Sequence, residues 1–368
     1  MRIGIDVRLL NQTGVGRYIR NLIINLQQID IKNEYVIFVK KEDLGYIEKQ
    51  IVNSKWKIVY VNIKWHSFKE QYELPGILNK ENLDLVHFPY FSLPIFYKKP
   101  YVITIHDLII NHYPTGKAST LFPLLYYLKL FAYKFIIYKA SKNARKIIVP
   151  SVATKNEVID HLKIEDEKIV VTPEAADKKI SNIKYQISNI IKNEFGKYFL
   201  YVGNAYPHKN LENLIAAFNN FSKEKHVKLI FVGKKDYFYK RLEQKIKSQN
   251  IIFYESATDE QLSALYKNAL CLVMPSLMEG FGLPVLEAMA NKCLVICSDI
   301  PSLREVAKDN ALYFNPKNIS EIQEAMSKVY DGKYEKEIIE RAHKLSKEYS
   351  WQKMAKQTLE VYESLLKD

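Results

Sequence analysis

Residues Met274 to Ala290, MPSLMEGFGLPVLEAMA, decide how the rest of the chain is read. They follow an apolar run, Leu270 to Met274, that has the character of a buried strand. Pro275 and Ser276 end that strand. Gly280 and Gly282 then provide a loop that bends where side chains with a Cβ cannot. Pro284 stands where a first helical turn begins, and a helix is expected over Leu283–Asn291. A strand, a glycine loop and a helix N-terminus together leave backbone N–H groups able to hold an anion.

Two carboxylates flank the loop, Glu279 before it and Glu287 about one turn into the helix. An anion on the N–H groups would repel both acids, so they are better suited to accept from hydroxyl groups on either side of it. A sugar–diphosphate–ribose ligand has that order of groups. The plainer alternative is that acids early in a helix favour its macrodipole.

The spacing Glu279-x7-Glu287 around GFGLP, with Pro275-Ser276 before and Glu287 to Ala290 after, resembles the E-x7-E motif of retaining nucleotide-sugar glycosyltransferases of family 4. The resemblance implies an α/β GT-B fold, in which two Rossmann-like doubly wound domains face each other across a cleft. A bare pair of glutamates carries almost no information; the whole string is highly specific.

With 368 residues the chain can form two packed domains. No apolar run reaches the ~18 residues of a membrane span. The opening Met1-Arg-Ile-Gly-Ile-Asp6 reads as a first strand, not a leader. Cys271, Cys293 and Cys297 lie in apolar runs without metal-ligand spacing, as reduced buried thiols would in the cytoplasm. The formal charge of +13 suits nucleic acid, a membrane surface or an acidic substrate. Neither zinc-finger spacing nor an aromatic RNA-binding signature is present, so nucleic acid is not expected.

The first half alternates short strands (Arg2–Val7, Tyr35–Val39, Lys57–Val61, Leu83–Phe88, Tyr101–Ile105, Lys146–Val149) with helices, including Ser119–Ser141 and Val152–Leu162. This is the pattern of a parallel, doubly wound sheet, whose ligands bind at strand carboxyl ends. Gly14 and Gly16 follow the first strand, as a plain turn or as a loop approaching a phosphate. TGVGRY is similar to the family's opening, which implies a donor contact there. His106 follows the strand Tyr101–Ile105. Taken alone it is a structural hydrogen-bonder, whereas the string VITIHDL resembles the family's N-domain catalytic-site histidine.

Between Lys117 and Lys146 many large apolar residues alternate with Lys129, Lys134, Lys139 and other basic ones. Either this is a core helix whose lysines reach out to water, or it lies on an anionic membrane surface.

A boundary is expected near Pro173, followed by a polar connector to Gly196 and a second strand–helix series. That places an acceptor-side domain at 1–173, a nucleotide-sugar domain at 174–348 and a final helix at 349–368, which the resemblance sends back onto the first domain. The series opens with Gly203, Asn204 and, before a helix, His208-Lys209-Asn210. By resemblance Lys209 is the family's phosphate-binding lysine. Many members have an arginine where this chain has Asn204 or His208, so His208 is expected to make the second phosphate contact if protonated.

The resemblance therefore implies a donor site of Gly14, Gly16, Asn204, His208, Lys209, Glu279, Gly280, Phe281, Gly282, Leu283 and Glu287, with His106, Lys209 and Glu279 catalytic. Glu287 would take the ribose, Glu279 the transferred sugar, and Lys209 with the loop N–H groups the diphosphate. No Asp-x-Asp occurs, so neither metal nor other cofactor is expected. The implied reaction moves a hexose, mannose favoured, onto a saccharide acceptor on a lipid carrier, in surface polysaccharide synthesis at the cytoplasmic membrane face. A sugar-nucleotide epimerase or hydrolase, or a non-catalytic partner subunit of the same fold, is the alternative.

Overall fold

The computed structural model describes residues 1–114, 123–177, 185–223, 225–246 and 248–365. Its chain divides into two compact units. The first comprises the described residues of Met1–Leu108, Leu121–Glu174 and Ser350–Asp368; the second comprises those of Ile109–Thr120 and Ala175–Tyr349.

The first unit is built on seven parallel strands: β1 (Arg2–Asp6), β2 (Glu34–Val39), β3 (Trp56–Tyr60), β4 (Leu85–Phe88), β5 (Tyr101–Thr104), β6 (Lys146–Val149) and β7 (Ile169–Val171). They lie in the order β3-β2-β1-β4-β5-β6-β7. The second unit holds β8 (Tyr198–Val202), β9 (Lys228–Gly233), β10 (Ile251–Glu255), β11 (Cys271–Met274), β12 (Val295–Ser298) and β13 (Leu312–Phe314), ordered β10-β9-β8-β11-β12-β13. Every pairing is parallel.

Strands covered by helices on both faces are near-continuously apolar, not alternating. Accordingly β4, β5, β11 and β12 are buried at every residue. Each sheet reverses its winding beside its first strand, between β1 and β4 and between β8 and β11. Loops leave such a reversal in opposite directions and open a crevice at the strand carboxyl ends. The loops after β8 and β11 carry Lys209 and Glu279, so the sheet order alone makes them neighbours.

Helices with strong end signals keep the expected bounds. Val152–Leu162 starts at Ser151, whose Oγ accepts from the Thr154 N–H, and stops at Lys163 in a left-handed conformation (φ 51°). The expected connector after Pro173 is corrected. Residues 178–184 lie outside the described residues, but Tyr185–Phe195 is a helix. Ile187, Ile191 and Phe195, four apart, pack on the second core, while the Asn and Lys between them made the stretch read as polar.

Of the helix expected over Ser119–Ser141, Ser119–Phe122 are outside the described residues, as is Lys117. The helix runs Pro123–Asn143. Ile137 and Ala140 are buried in the first core, and Tyr133 packs against it. Tyr127 (66% exposed), Leu128, Phe131 (71%), Phe135 and Tyr138 stand out into water. Their spacing places Tyr127, Phe131, Phe135 and Tyr138 along one side. Lys129, Lys134 and Lys139 are exposed as well.

The helix Trp351–Ser364 belongs to the first unit and packs along Thr13–Ile29. A buried polar chain fastens it: the Tyr362 hydroxyl is 2.6 Å from His87 Nδ1, His87 Nε2 is 2.8 Å from Thr104 Oγ1, and Thr104 Oγ1 is 3.2 Å from the Tyr18 hydroxyl. Burial foremost, with the nearby His106, pushes His87 down to about 3. The ring is therefore neutral at pH 7, donating at one nitrogen and accepting at the other.

Candidate active site

After β8 the chain makes a 3₁₀ turn at Pro207–Lys209 and enters the helix Leu211–Phe221 through Asn210, which takes a left-handed conformation (φ 59°). Asparagine tolerates that region better than most residues. Its side chain then ties the turn down, donating from Nδ2 to the carbonyls of Pro275 at 3.0 Å and Pro316 at 2.7 Å. The Leu277 N–H donates to the His208 carbonyl at 2.8 Å. These bonds clamp the loop after β8 to the loop after β11.

Within the clamp, Lys209 Nζ donates to both carboxylate oxygens of Glu279, at 2.7 and 2.8 Å. The side chains are 12% and 8% exposed, so each offsets the other's loss of hydration. Two residues expected to serve different parts of a ligand are thus one ion pair. An ammonium has three donors, and one remains outside this pair.

Gly282 caps the helix Leu283–Ala290 at φ 105°, and a Cβ there would meet Leu303 Cδ2 at 2.5 Å. The positive φ favours glycine, and an added Cβ would also displace the Leu303 side chain. The Leu283 N–H, in the first turn, has no intrahelical acceptor and lies at the positive end of the helix. The Phe281 ring is buried in the second core, edge-on to Tyr349 at 5.9 Å, so its side chain serves packing and the expected contact to the diphosphate falls to its main chain. Glu287 is 2% exposed, and its Oε2 accepts from the Tyr266 hydroxyl at 2.9 Å.

His208 makes the expected second phosphate contact only if protonated. Burial foremost, then the adjacent Lys209, push it down to about 4, against the pull of Glu279. The ring is neutral at pH 7 and can offer a hydrogen bond but no cation. Asn204 shapes the same loop, its carbonyl accepting from the Tyr201 hydroxyl at 2.6 Å.

In the first unit, His106 follows β5. Its Nε2 lies 3.0 Å from the Pro89 carbonyl, its Nδ1 lies 3.1 Å from Glu174 Oε1, and the Tyr18 ring meets it edge-on at 4.9 Å. Gly14 and Gly16 are in the first turn of Thr13–Ile29, not in a loop before it. A Cβ at 16 would meet the Leu10 carbonyl oxygen at 2.2 Å, so packing explains that glycine. Gly14 is exposed, with no atom within 4 Å of an added Cβ.

Residues 12–179 match the model of Glycosyltransferase Family 4, and residues 182–348 match that of Glycosyl transferases group 1. The chain belongs to glycosyltransferase family 4. This family 4 glycosyltransferase is 25% identical over 347 residues to the O-antigen chain mannosyltransferase RfbU of Salmonella typhimurium, covering 88% of this chain and 92% of the relative. It is 26% identical over 302 residues to O-antigen chain mannosyltransferase B of Escherichia coli, covering 76% and 74%. The sucrose-phosphate synthase structure from Thermosynechococcus elongatus superposes with a TM-score of 0.78 at 17% identity, covering 100% of this chain and 99% of that one. The fold is thus the two-domain Rossmann-like GT-B arrangement.

Three side chains of the glycosyltransferase had no part in the expected site: Asn210, Tyr266 and Glu174. Asn210 was visible as the residue after Lys209. Tyr266 reads as one more apolar position of its helix, and Glu174 as part of a linker.

Proposed function

We propose that this glycosyltransferase moves a hexose, mannose in first place, from a nucleoside diphosphate sugar to a saccharide acceptor on a lipid carrier, in surface polysaccharide synthesis. What carries the reading is the Lys209–Glu279 pair at the reversal of the second sheet, beside the glycine-capped helix that bears Glu287. Mannose and the polysaccharide setting are supported by the two O-antigen relatives. Lys209 and the first-turn N–H groups hold the diphosphate and stabilise charge on the departing phosphate. Glu287 accepts from the ribose, Glu279 from the transferred sugar, and His106 serves the sugar or its acceptor. Transfer retains configuration: the anomeric C–O bond to the diphosphate breaks, the acceptor oxygen bonds on the same face, and its proton goes to the leaving phosphate.

The test is to incubate the protein with a panel of nucleoside diphosphate hexoses, with and without saccharide acceptor, and to read the anomeric configuration of the product by NMR. Donor consumption without acceptor points instead to an epimerase or hydrolase. Binding without turnover points to a non-catalytic subunit. Binding itself appears as a raised melting temperature, since ligand at 100 times Kd stabilises by about 2.7 kcal/mol.

We expect activity to survive excess EDTA, because no Asp-x-Asp occurs in the sequence to clamp a cation on a diphosphate. Loss of activity that magnesium or manganese restores would overturn this.

Membrane contact is assigned to the exposed side of Pro123–Asn143. Tyr127, Leu128, Phe131, Phe135 and Tyr138 form an apolar stripe, and exposed lysines accompany it. No helix among the described residues is long and apolar enough to cross a membrane. Each Lys near an anionic surface contributes about 1 kcal/mol, and salt weakens that attraction. The protein should co-sediment with anionic vesicles at low salt, less at high salt, and little with neutral ones. Replacing Lys129, Lys134 and Lys139 by Glu should release it while sparing transfer to a soluble acceptor. Binding indifferent to lipid charge would count against an electrostatic contact.

A further inference from the structure

His106 is surrounded by acceptors. The Pro89 carbonyl 3.0 Å from Nε2 can only accept, so that nitrogen carries a hydrogen. Opposite Nδ1, at 3.1 Å, is the carboxyl group of Glu174, 4% exposed. A bare Nδ1 facing a bare carboxylate would set two lone pairs against each other. The contact holds only if one proton lies between them, on the ring or on the acid. The other groups near the ring do not compete for it. The Tyr18 ring stands nearly perpendicular to it with its hydroxyl on Thr104 Oγ1, and burial raises that hydroxyl far above the range where it ionises near neutrality. His87 is neutral, and Thr154 Oγ1 faces the His106 carbonyl, not the ring.

We propose that Glu174 is a positioning residue for His106: it holds a proton between its carboxyl group and Nδ1 and aims the ring so that Nε2–H points along the Pro89 carbonyl. With Nε2–H given to the Pro89 carbonyl and Nδ1 partnered by Glu174, His106 has no bare nitrogen with which to act as a proton acceptor toward a substrate. The hydrogen bond made by one ring nitrogen sets the state of the other, and here the linker carboxylate makes it. The proposal rests on the assignment of His106 to the sugar or acceptor only for its effect on turnover; its effect on the ring stands apart.

Imidazole ¹⁵N NMR of the full chain at pH 7 tests it, with the His106 signals identified by their absence in His106→Asn. The wild type should show hydrogen at Nε2 and a proton shared at Nδ1. A neutral ring with a bare Nδ1 in the wild type overturns the proposal, whatever the variants do. Glu174→Gln keeps the side chain's shape but can donate its amide to a bare Nδ1, so the Nδ1 proton signal should disappear. Turnover should fall up to about tenfold, the factor that a hydrogen bond's net contribution of about 0.5–1.5 kcal/mol allows, with donor KM little changed. Glu174→Ala should lower kcat further, so that Gln is a partial rescue. Unchanged His106 signals in Glu174→Gln would also overturn the proposal. Changed signals with undiminished turnover would uphold the pairing and instead remove His106 from the catalytic reading.

Discussion

Replacing Lys209 with Met is expected to lower kcat about 10²–10³-fold, the usual loss when one preorganised donor to a developing oxyanion is removed. The change also strands Glu279, whose side chain is 8% exposed and whose carboxylate is held by both of its oxygens. Breaking a buried pair from one side destabilises by about 3–5 kcal/mol, and the small residual exposure here places this site toward the low end. The two effects separate in a double variant. Adding Glu279→Gln removes the stranded charge, so the melting temperature should largely recover while turnover stays low. Recovery of turnover together with stability would show that Lys209 merely neutralises its partner.

Glu287→Ala is expected to weaken binding of whichever of ADP, GDP and UDP the protein takes by about 10–150-fold, because a hydrogen bond to a charged group contributes about 1.5–3 kcal/mol. Glu279→Ala should behave in the opposite way. It frees the ammonium of Lys209 from its carboxylate, so affinity for the diphosphate should be kept or increased while turnover falls. Calorimetry decides between them, and equal loss of affinity in both variants would defeat the division of roles. Tyr266→Phe gives a graded control, since it removes the hydroxyl that donates to Glu287 Oε2.

What the sequence showed and what it concealed differ in physical kind. Helix and strand follow from local periodicity, so the alternation of elements and the glycine loop at Gly280 and Gly282 were legible. So was the sheet class, because strands buried on both faces leave uninterrupted apolar runs. Contacts between distant residues were not. Lys209 and Glu279 are 70 positions apart, His106 and Glu174 are 68, and neither pairing can be read without the strand order. Side-chain direction was equally hidden. Phe281 sits in a binding motif, yet its ring serves the core, and Gly16 answers to the Leu10 carbonyl. Burial pushes His208 toward its neutral form, which a sequence does not display. The helix Tyr185–Phe195 was missed because three apolar positions suffice to dock it while its remaining residues resemble a linker.

The helix Trp351–Ser364 also bears on how the protein is born. His87 and the Tyr18 helix wait for a partner that the ribosome adds only after every residue of the second sheet. At about 5–20 residues per second, the interval between Glu174 and Tyr362 is on the order of ten to forty seconds. Through that time the nascent first unit holds a buried imidazole lacking its tyrosine and a helix flank still open to water. The half of the molecule that starts first is thus completed last.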